Sequence, residues 1–206
     1  VREVQLRNDP LPTVLLSDVG ESDPLVLTSK ITHGNDGPYA IDTFELPLNN
    51  PSNVPVMGSG LAMLKDGAAL LATMHGDVWK IENLEYPSKE ARWTRFATGL
   101  HQPLGMIVDE DGIFVMCRDQ LVRLWDIDDD GDADYYECFS DKHVTSPGGH
   151  DYICGLERDA QGNFYTASGA DGVYRISADG KTAEIIATGF RNPDGIGLTS
   201  DGVLTI

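Results

Sequence analysis

The chain has 206 residues, 41% of them hydrophobic, and sets 33 acidic residues against 15 Lys and Arg for a net charge of -18. That length and apolar content support one folded domain, or two, with a real core, while the charge repels phosphate backbones and anionic lipid and excludes nucleic acid as an expected partner. No apolar run approaches the roughly 18 residues that span a bilayer, so no membrane insertion is expected, and Cys117, Cys138 and Cys154, without a CxxC or CxxCH pattern, encode neither a zinc knuckle nor a covalent haem and read as small core residues.

Residues 1–55 are rich in Pro, Asn and Asp and carry weak strand signals at Thr13-Val-Leu-Leu and Pro24-Leu-Val-Leu-Thr. They are expected to form an extended segment or first strands ahead of a repeating region over 56–206. The repeats begin at Leu61-Ala-Met-Leu-Lys-Asp-Gly-Ala-Ala-Leu-Leu-Ala, return at Gly105-Met-Ile-Val-Asp-Glu-Asp-Gly-Ile-Phe-Val-Met and Gly155-Leu-Glu-Arg-Asp-Ala-Gln-Gly-Asn-Phe-Tyr-Thr, and end at Gly195-Ile-Gly-Leu-Thr-Ser-Asp-Gly-Val-Leu-Thr-Ile. Each reads as a strand, a tight turn and a second strand, with the turn glycine supplying a positive φ and the alternation facing one side inward. The turn glycines Gly67, Gly112, Gly162 and Gly202 are 45, 50 and 40 residues apart. Third strands follow at Asp77-Val-Trp-Lys-Ile, Gln120-Leu-Val-Arg-Leu-Trp and Gly172-Val-Tyr-Arg-Ile. Ser88-Lys-Glu-Ala-Arg-Trp, the one helical candidate, reads as a loop, and Trp79, Trp93 and Trp125 read as packing between repeats.

Phe96-Ala-Thr-Gly-Leu-His-Gln-Pro-Leu-Gly and Ile186-Ala-Thr-Gly-Phe-Arg-Asn-Pro-Asp-Gly match at an offset of 90 residues, two repeats. Each closes a fourth strand and opens the innermost strand of the next unit. Four-stranded units at this period predict an all-β fold, a β-propeller with about three and a half blades visible and the Pro-Xaa-Gly loops at the mouth of a central channel. The repeats do not close on themselves, while propellers have roughly four to eight complete blades, so the chain is expected to be a fragment of a longer polypeptide; alternatively the N-terminal segment supplies the missing strands.

The strongest chemical signal is Asp126-Ile-Asp-Asp-Asp-Gly-Asp-Ala-Asp-Tyr-Tyr-Glu137. Asp126, Asp128, Asp130, the Asp132 carbonyl, Asp134 and Glu137 fall at loop positions 1, 3, 5, 7, 9 and 12 of an EF-hand-type Ca2+ loop, with Gly131 at the sharp turn. Because strands flank it, the expected ion is structural and not a sensor's. The histidines His33, His75, His101 and His143 read as surface or turn residues.

The second signal pairs Pro147-Gly-Gly-His-Asp with Gly189-Phe-Arg-Asn-Pro-Asp-Gly. A His entering one inner strand and an Arg-Asn-Pro-Xaa-Gly entering the next resemble the soluble quinoprotein sugar dehydrogenases, six-bladed propellers that use pyrroloquinoline quinone (PQQ). The Asp-Gly-Asp-Ala-Asp segment and Gly-Leu-His-Gln-Pro-Leu-Gly look closer to the large dehydrogenases of planctomycete-type bacteria, whose propeller is often followed by a cytochrome c domain. The likeness covers residues 55–206 and implies a periplasmic or extracellular enzyme oxidising a sugar or other alcohol, with a cytochrome c domain or partner as electron acceptor. It implies His150 as the general base, Arg191 as the cation at the quinone oxygens, and Asn192 beside it. Asp171 would have to shift by one place to match the family's aspartate. Alternatives stay open: His150 as a capped turn residue, Arg191 as an ion-pair partner of Asp151 or Asp194, a non-catalytic calcium-stabilised binding propeller, or a metal-dependent lactonase with Asn192 and Asp194 as ligands.

Overall fold

A computed structural model describes residues 25–34, 37–51, 53–146 and 151–206. Among them every regular element is a strand. The first repeat comprises β3 (Gly58–Met63), β4 (Ala69–Thr73), β5 (Val78–Glu82) and β6 (Glu90–Ala97); ahead of it lie β1 (Val26–Gly34) and β2 (Ile41–Phe44). The second holds β7 (Gly105–Asp109), β8 (Gly112–Met116), β9 (Leu121–Trp125) and β10 (Tyr135–Ser140), and the third β11 (Ile153–Arg158), β12 (Phe164–Ser168), β13 (Gly172–Ile176) and β14 (Ala183–Ala187). A last hairpin pairs β15 (Gly197–Leu198) with β16 (Leu204–Thr205). The sheets run β2-β1-β6-β5-β4-β3, β10-β9-β8-β7, β11-β12-β13-β14 and β15-β16. Each repeat is thus one antiparallel blade, joined to the next by a connection from its outermost to the neighbour's innermost strand.

Strict alternation along the strands builds the core between blades. In the second blade Val115 and Cys117 point into an apolar cluster with Leu70, Ala72 and Val78 of the first, while Phe114 and Met116 point into a cluster with Leu156, Phe164 and Ile176 of the third. A period of two buried on both faces leaves no solvent side, so these strands are nearly continuous in apolar residues. Arg158 adds a polar staple: its guanidinium binds Asp109 at 2.6 Å and Asp111 at 2.8 Å across the blade boundary and lies over the rings of Phe114 and Phe164.

The inner strands meet almost backbone to backbone. A Cβ on Gly105 would stand 2.5 Å from the Gly155 carbonyl carbon and 2.7 Å from the Leu156 nitrogen, and one on Gly60 would stand 3.4 Å from Gly105. Glycine at this place in consecutive repeats is therefore what lets the blades converge on one axis.

Several expectations need correcting. Ser88–Trp93 is no loop throughout: Glu90–Ala97 forms β6, because Ala91 and Trp93 alternate inward with Glu90 and Arg92 outward. Trp125 is 36% exposed, stacked beneath the Arg123 guanidinium at 3.9 Å and not between blades. Cys138 is exposed, since it lies in the outermost strand of its blade, whereas Cys117 is buried. His143 is buried too, with its Nε2 3.4 Å from the Arg118 carbonyl oxygen, and burial lowers its pKa. The described part of the N-terminal segment does not pair with the last hairpin: β1 adds antiparallel to the outer edge of β6, and Leu27 and Ile31 cover Trp79 and Trp93. Thr13-Val-Leu-Leu lies outside the described residues.

His33 clasps the far end of this addition. Its Nε2 is 2.6 Å from the Ser88 carbonyl oxygen and its Nδ1 makes an ion-pair approach of 2.9 Å to Asp42. Both partners only accept, so the ring suits both when doubly protonated, and its pKa is raised, first by the Ser88 carbonyl and then by Asp42. A raised folded-state pKa places the stabilisation fully below the ordinary value of 6.5 and removes it as pH climbs through the folded value. Protection factors of the Ile41–Phe44 amides, corrected for the intrinsic pH dependence of exchange, are accordingly expected to fall across that rise, and His33→Gln to flatten the profile; pH-independent protection in the unaltered protein would contradict the clasp.

Candidate metal loop and channel-mouth residues

The acidic loop connects β9 to β10 at the outer side of the second blade. Ligand oxygens of Asp126, Asp128 and Asp130 all lie within 4.8 Å of one another. The chain holds them there through backbone donors: Gly131 N–H reaches Asp126 Oδ2 at 3.0 Å, Asp132 N–H reaches Asp130 Oδ1 at 2.9 Å, and Ile127 N–H reaches Asp134 Oδ2 at 2.7 Å. Asp129 and Gly131, with φ of 59° and 95°, make the bends. The loop also grips the first blade, where Ala133 N–H donates to the Phe96 carbonyl at 2.7 Å and Thr98 N–H donates to the Tyr136 hydroxyl at 3.0 Å.

Crowded carboxylates leave an electrostatic mark. The pKa of Asp126 is raised, by burial foremost and by Asp130 and Asp129 beyond it, against the Gly131 N–H. Asp132 is raised likewise by burial and then by Asp130, with Arg95 of the first blade opposing. Asp126 Oδ1 is buried without a hydrogen-bond partner. An orphaned anionic oxygen on a residue that converges with two further carboxylates is the arrangement that a hard cation satisfies, so the loop fits calcium. The convergence embraces positions 1, 3 and 5. Asp134 is bound to Ile127, and Glu137 stands in β10 with its Oε2 accepting from Trp125 Nε1 at 3.0 Å. As a ligand, Glu137 would have to exchange the indole for the ion.

The second set lies at the opposite end of the blade strands, where the connections enter the inner strands. His150 lies outside the described residues. The residue after it, Asp151, is buried and organises the mouth: it accepts Ser146 N–H at 2.6 Å, the Ser168 hydroxyl at 3.0 Å and Ala170 N–H at 3.1 Å. Burial opposes its ionisation, yet these donors outweigh burial and lower its pKa. Asp171, in the same turn, accepts the Tyr174 hydroxyl at 2.6 Å; burial, then this carboxylate, push the phenol up to about 12. Asn192 bends with φ of 51°, and its Oδ1 would lie 3.2 Å from a Cβ on Gly169, so it rests against the turn that carries Asp171. Arg191 is exposed beside it.

The structure thus brings Asn192 to the Asp171 turn and gathers three of the six candidate ligands of the acidic loop. Sequence reasoning offered Asp151 only as an ion-pair partner of Arg191 and missed its anchoring of the turn through Ser146, Ser168 and Ala170, whose signal was its place between the candidate base and an inner strand. Among the described residues the one group of three His, Cys, Asp or Glu ligand atoms close enough for a metal is in the acidic loop, and Asp194 has no such companions.

Four-stranded blades with abutting inner strands, two-sided cores and outer-to-inner connections define a β-propeller. No family model matches the chain, and no curated protein matches it. Among solved structures it is similar to a Thermus thermophilus oxidoreductase provisionally assigned as a glucose dehydrogenase, at 17% identity and a TM-score of 0.54, over 70% of this chain and 54% of that one. The chain therefore spans about half the length of that propeller. A Bacteroides caccae protein of unknown function (12% identity, TM-score 0.46, 86% and 64% covered) and AztD of Citrobacter koseri (14%, 0.43, 82% and 46%) are more remote.

Proposed function

We propose that this propeller belongs to a quinone-dependent oxidoreductase that oxidises a sugar or other alcohol, stabilised by a calcium ion in the Asp126–Glu137 loop. The observation that carries the reading is the meeting of two blade loops at the mouth, with Asn192 seated on the turn of Asp171 and Arg191 left exposed beside it; the oxidoreductase assignment of the Thermus structure supports it. PQQ, when bound, supplies the two-electron acceptor. Arg191 and Asn192 would hold it, the guanidinium stabilising negative charge at the quinone oxygens. His150 would take the substrate hydroxyl proton; the residue that follows it, Asp151, is tied to Ser168 and Ala170. A cytochrome c domain or partner as electron acceptor and a periplasmic or extracellular site accompany the reading. Among the described residues no helix is long and apolar enough to cross a membrane.

A second reading, a calcium-stabilised binding propeller without chemistry, is favoured by one observation: Asp151 accepts from three donors and Asp171 Oδ2 from Tyr174, so both carboxylates at the mouth are engaged in holding the turns. Titration with PQQ followed by an aldose separates the two. Cofactor reduction that falls by roughly 100-fold or more in His150→Ala and in Arg191→Ala upholds the enzyme; calcium binding with no PQQ binding in the full-length protein leaves the binding propeller.

A further inference from the structure

The connection 141–146 leads from the outermost strand of the second blade toward the mouth, and few bonds hold it. Val144 N–H donates to the Tyr174 hydroxyl at 3.4 Å, the Thr145 hydroxyl donates to the Arg118 carbonyl at 3.4 Å, and Ser146 N–H donates to Asp151 at 2.6 Å. His143 is wedged beneath these bonds, between Arg118 of the second blade and Tyr174 of the third. It is 4% exposed, its ring stands edge-on to that of Tyr174 with centroids 6.3 Å apart, and its Nε2 lies 3.4 Å from the Arg118 carbonyl oxygen.

The other ring nitrogen, Nδ1, is buried without a hydrogen-bond partner. With Nε2–H donating to a carbonyl, a bare Nδ1 lone pair suits only the neutral ring, and a proton there would add a charge and a donor where nothing accepts. The charged groups around the ring are already committed elsewhere. On the β8–β9 turn Asp119 lies 3.7 Å from His101, and the Arg118 guanidinium donates to Gln102. On the connection itself Asp141 pairs with Lys142, and on the β13 side the Tyr174 hydroxyl donates to Asp171 at 2.6 Å. Burial outweighs the pull of the Arg118 and Cys117 carbonyls and of Asp119 and Asp141, and lowers the pKa of His143.

We propose that His143 is a pH-operated latch: the neutral ring locks the connection 141–146 between the second and third blades, and protonation at Nδ1 expels the ring and releases the connection. A base whose folded-state pKa lies below its ordinary value of 6.5 leaves the fold fully stabilised above that value, and the stabilisation is lost as pH falls from it through the folded value. His33 works in the opposite sense, so acidification tightens the hairpin at the edge of the first blade while it loosens the junction of the second and third. Asp151, the acceptor of Ser146, has a lowered pKa and stays ionised across this window. The inference is independent of the oxidoreductase reading.

The test is amide exchange of the full-length protein from about pH 7.5 to about pH 5, expressed as protection factors corrected for intrinsic exchange, together with an NMR titration of the His143 ring. Protection of Val144 and Ser146 is expected to fall below pH 6.5 by up to about tenfold per pH unit, the limit for one linked proton, while that of Ile41–Phe44 does not fall. His143→Phe keeps a ring in the site and cannot take up a proton, so it should hold the protection of Val144 and Ser146 level. The ring itself should titrate below 6.5 in the unaltered protein. Titration at or above 6.5, pH-independent protection of Val144 and Ser146, an equal fall in His143→Phe, or a joint loss of both segments that marks global unfolding each overturns the proposal.

Discussion

Gly105→Ala is expected to destabilise the protein by roughly 3 kcal/mol, near the upper end of what one overpacked methyl costs. The added carbon would meet the Gly155 carbonyl carbon at 2.5 Å, the Leu156 nitrogen at 2.7 Å and the Gly155 oxygen at 2.8 Å. All three atoms are backbone of the adjoining inner strand, so no side chain can swing away and the second and third blades must part along Met106 and Leu156. Gly99→Ala is the control: it has φ of 80° with open space around it, so it carries only the left-handed backbone cost of about 1 kcal/mol. Chemical denaturation of both variants decides the matter, and a Gly105→Ala protein no weaker than Gly99→Ala would mean that the inner strands have room for a methyl group between them.

On the calcium proposal, chelation is expected to lower unfolding free energy by about 2.7 kcal/mol when free calcium had stood at about one hundred times its dissociation constant. The stabilisation should be felt between blades, because the loop's Ala133 and Tyr136 bind Phe96 and Thr98 of the first blade. Asp126→Asn separates the ion's effect from that of the loop. It removes one of three converging charges, so it should raise stability slightly without calcium and abolish the gain with it. Calcium should also alter the fluorescence of Trp125, whose indole must release Glu137 if that carboxylate joins the ion, and Trp125→Phe should erase the change. Calorimetry showing equal stability with and without calcium in the unaltered protein would remove the metal from the loop.

Much of the architecture was legible because it is local. The hairpins follow from Asp-Gly and Gln-Gly turns between alternating apolar runs, and Gly67, Gly112, Gly162 and Gly202 do adopt positive φ of 90°, 135°, 87° and 85°. The acidic loop was legible for the same reason: its ligand spacing is a property of twelve consecutive residues. β6 was misread because its strand signal needs a partner; Ala91 and Trp93 are inward only relative to β1 and to the cluster around Trp79. Trp125 was misread as core because composition does not distinguish the end of a third strand, where Arg123 and Glu137 flank it, from the middle.

Sequence by itself therefore determined the repeat period, the strand and turn chemistry and the spacing of the acidic-loop carboxylates, all set by interactions within a few residues. Only the tertiary structure decided that Gly105 and Gly155 touch, that Arg158 bridges two blades, that Asp151 anchors the mouth, and that Glu137 is held by Trp125 while Asp126, Asp128 and Asp130 converge. Each of those depends on how sheets distant in sequence twist and pack against one another, and twist and packing are summed over whole blades before they place any single side chain.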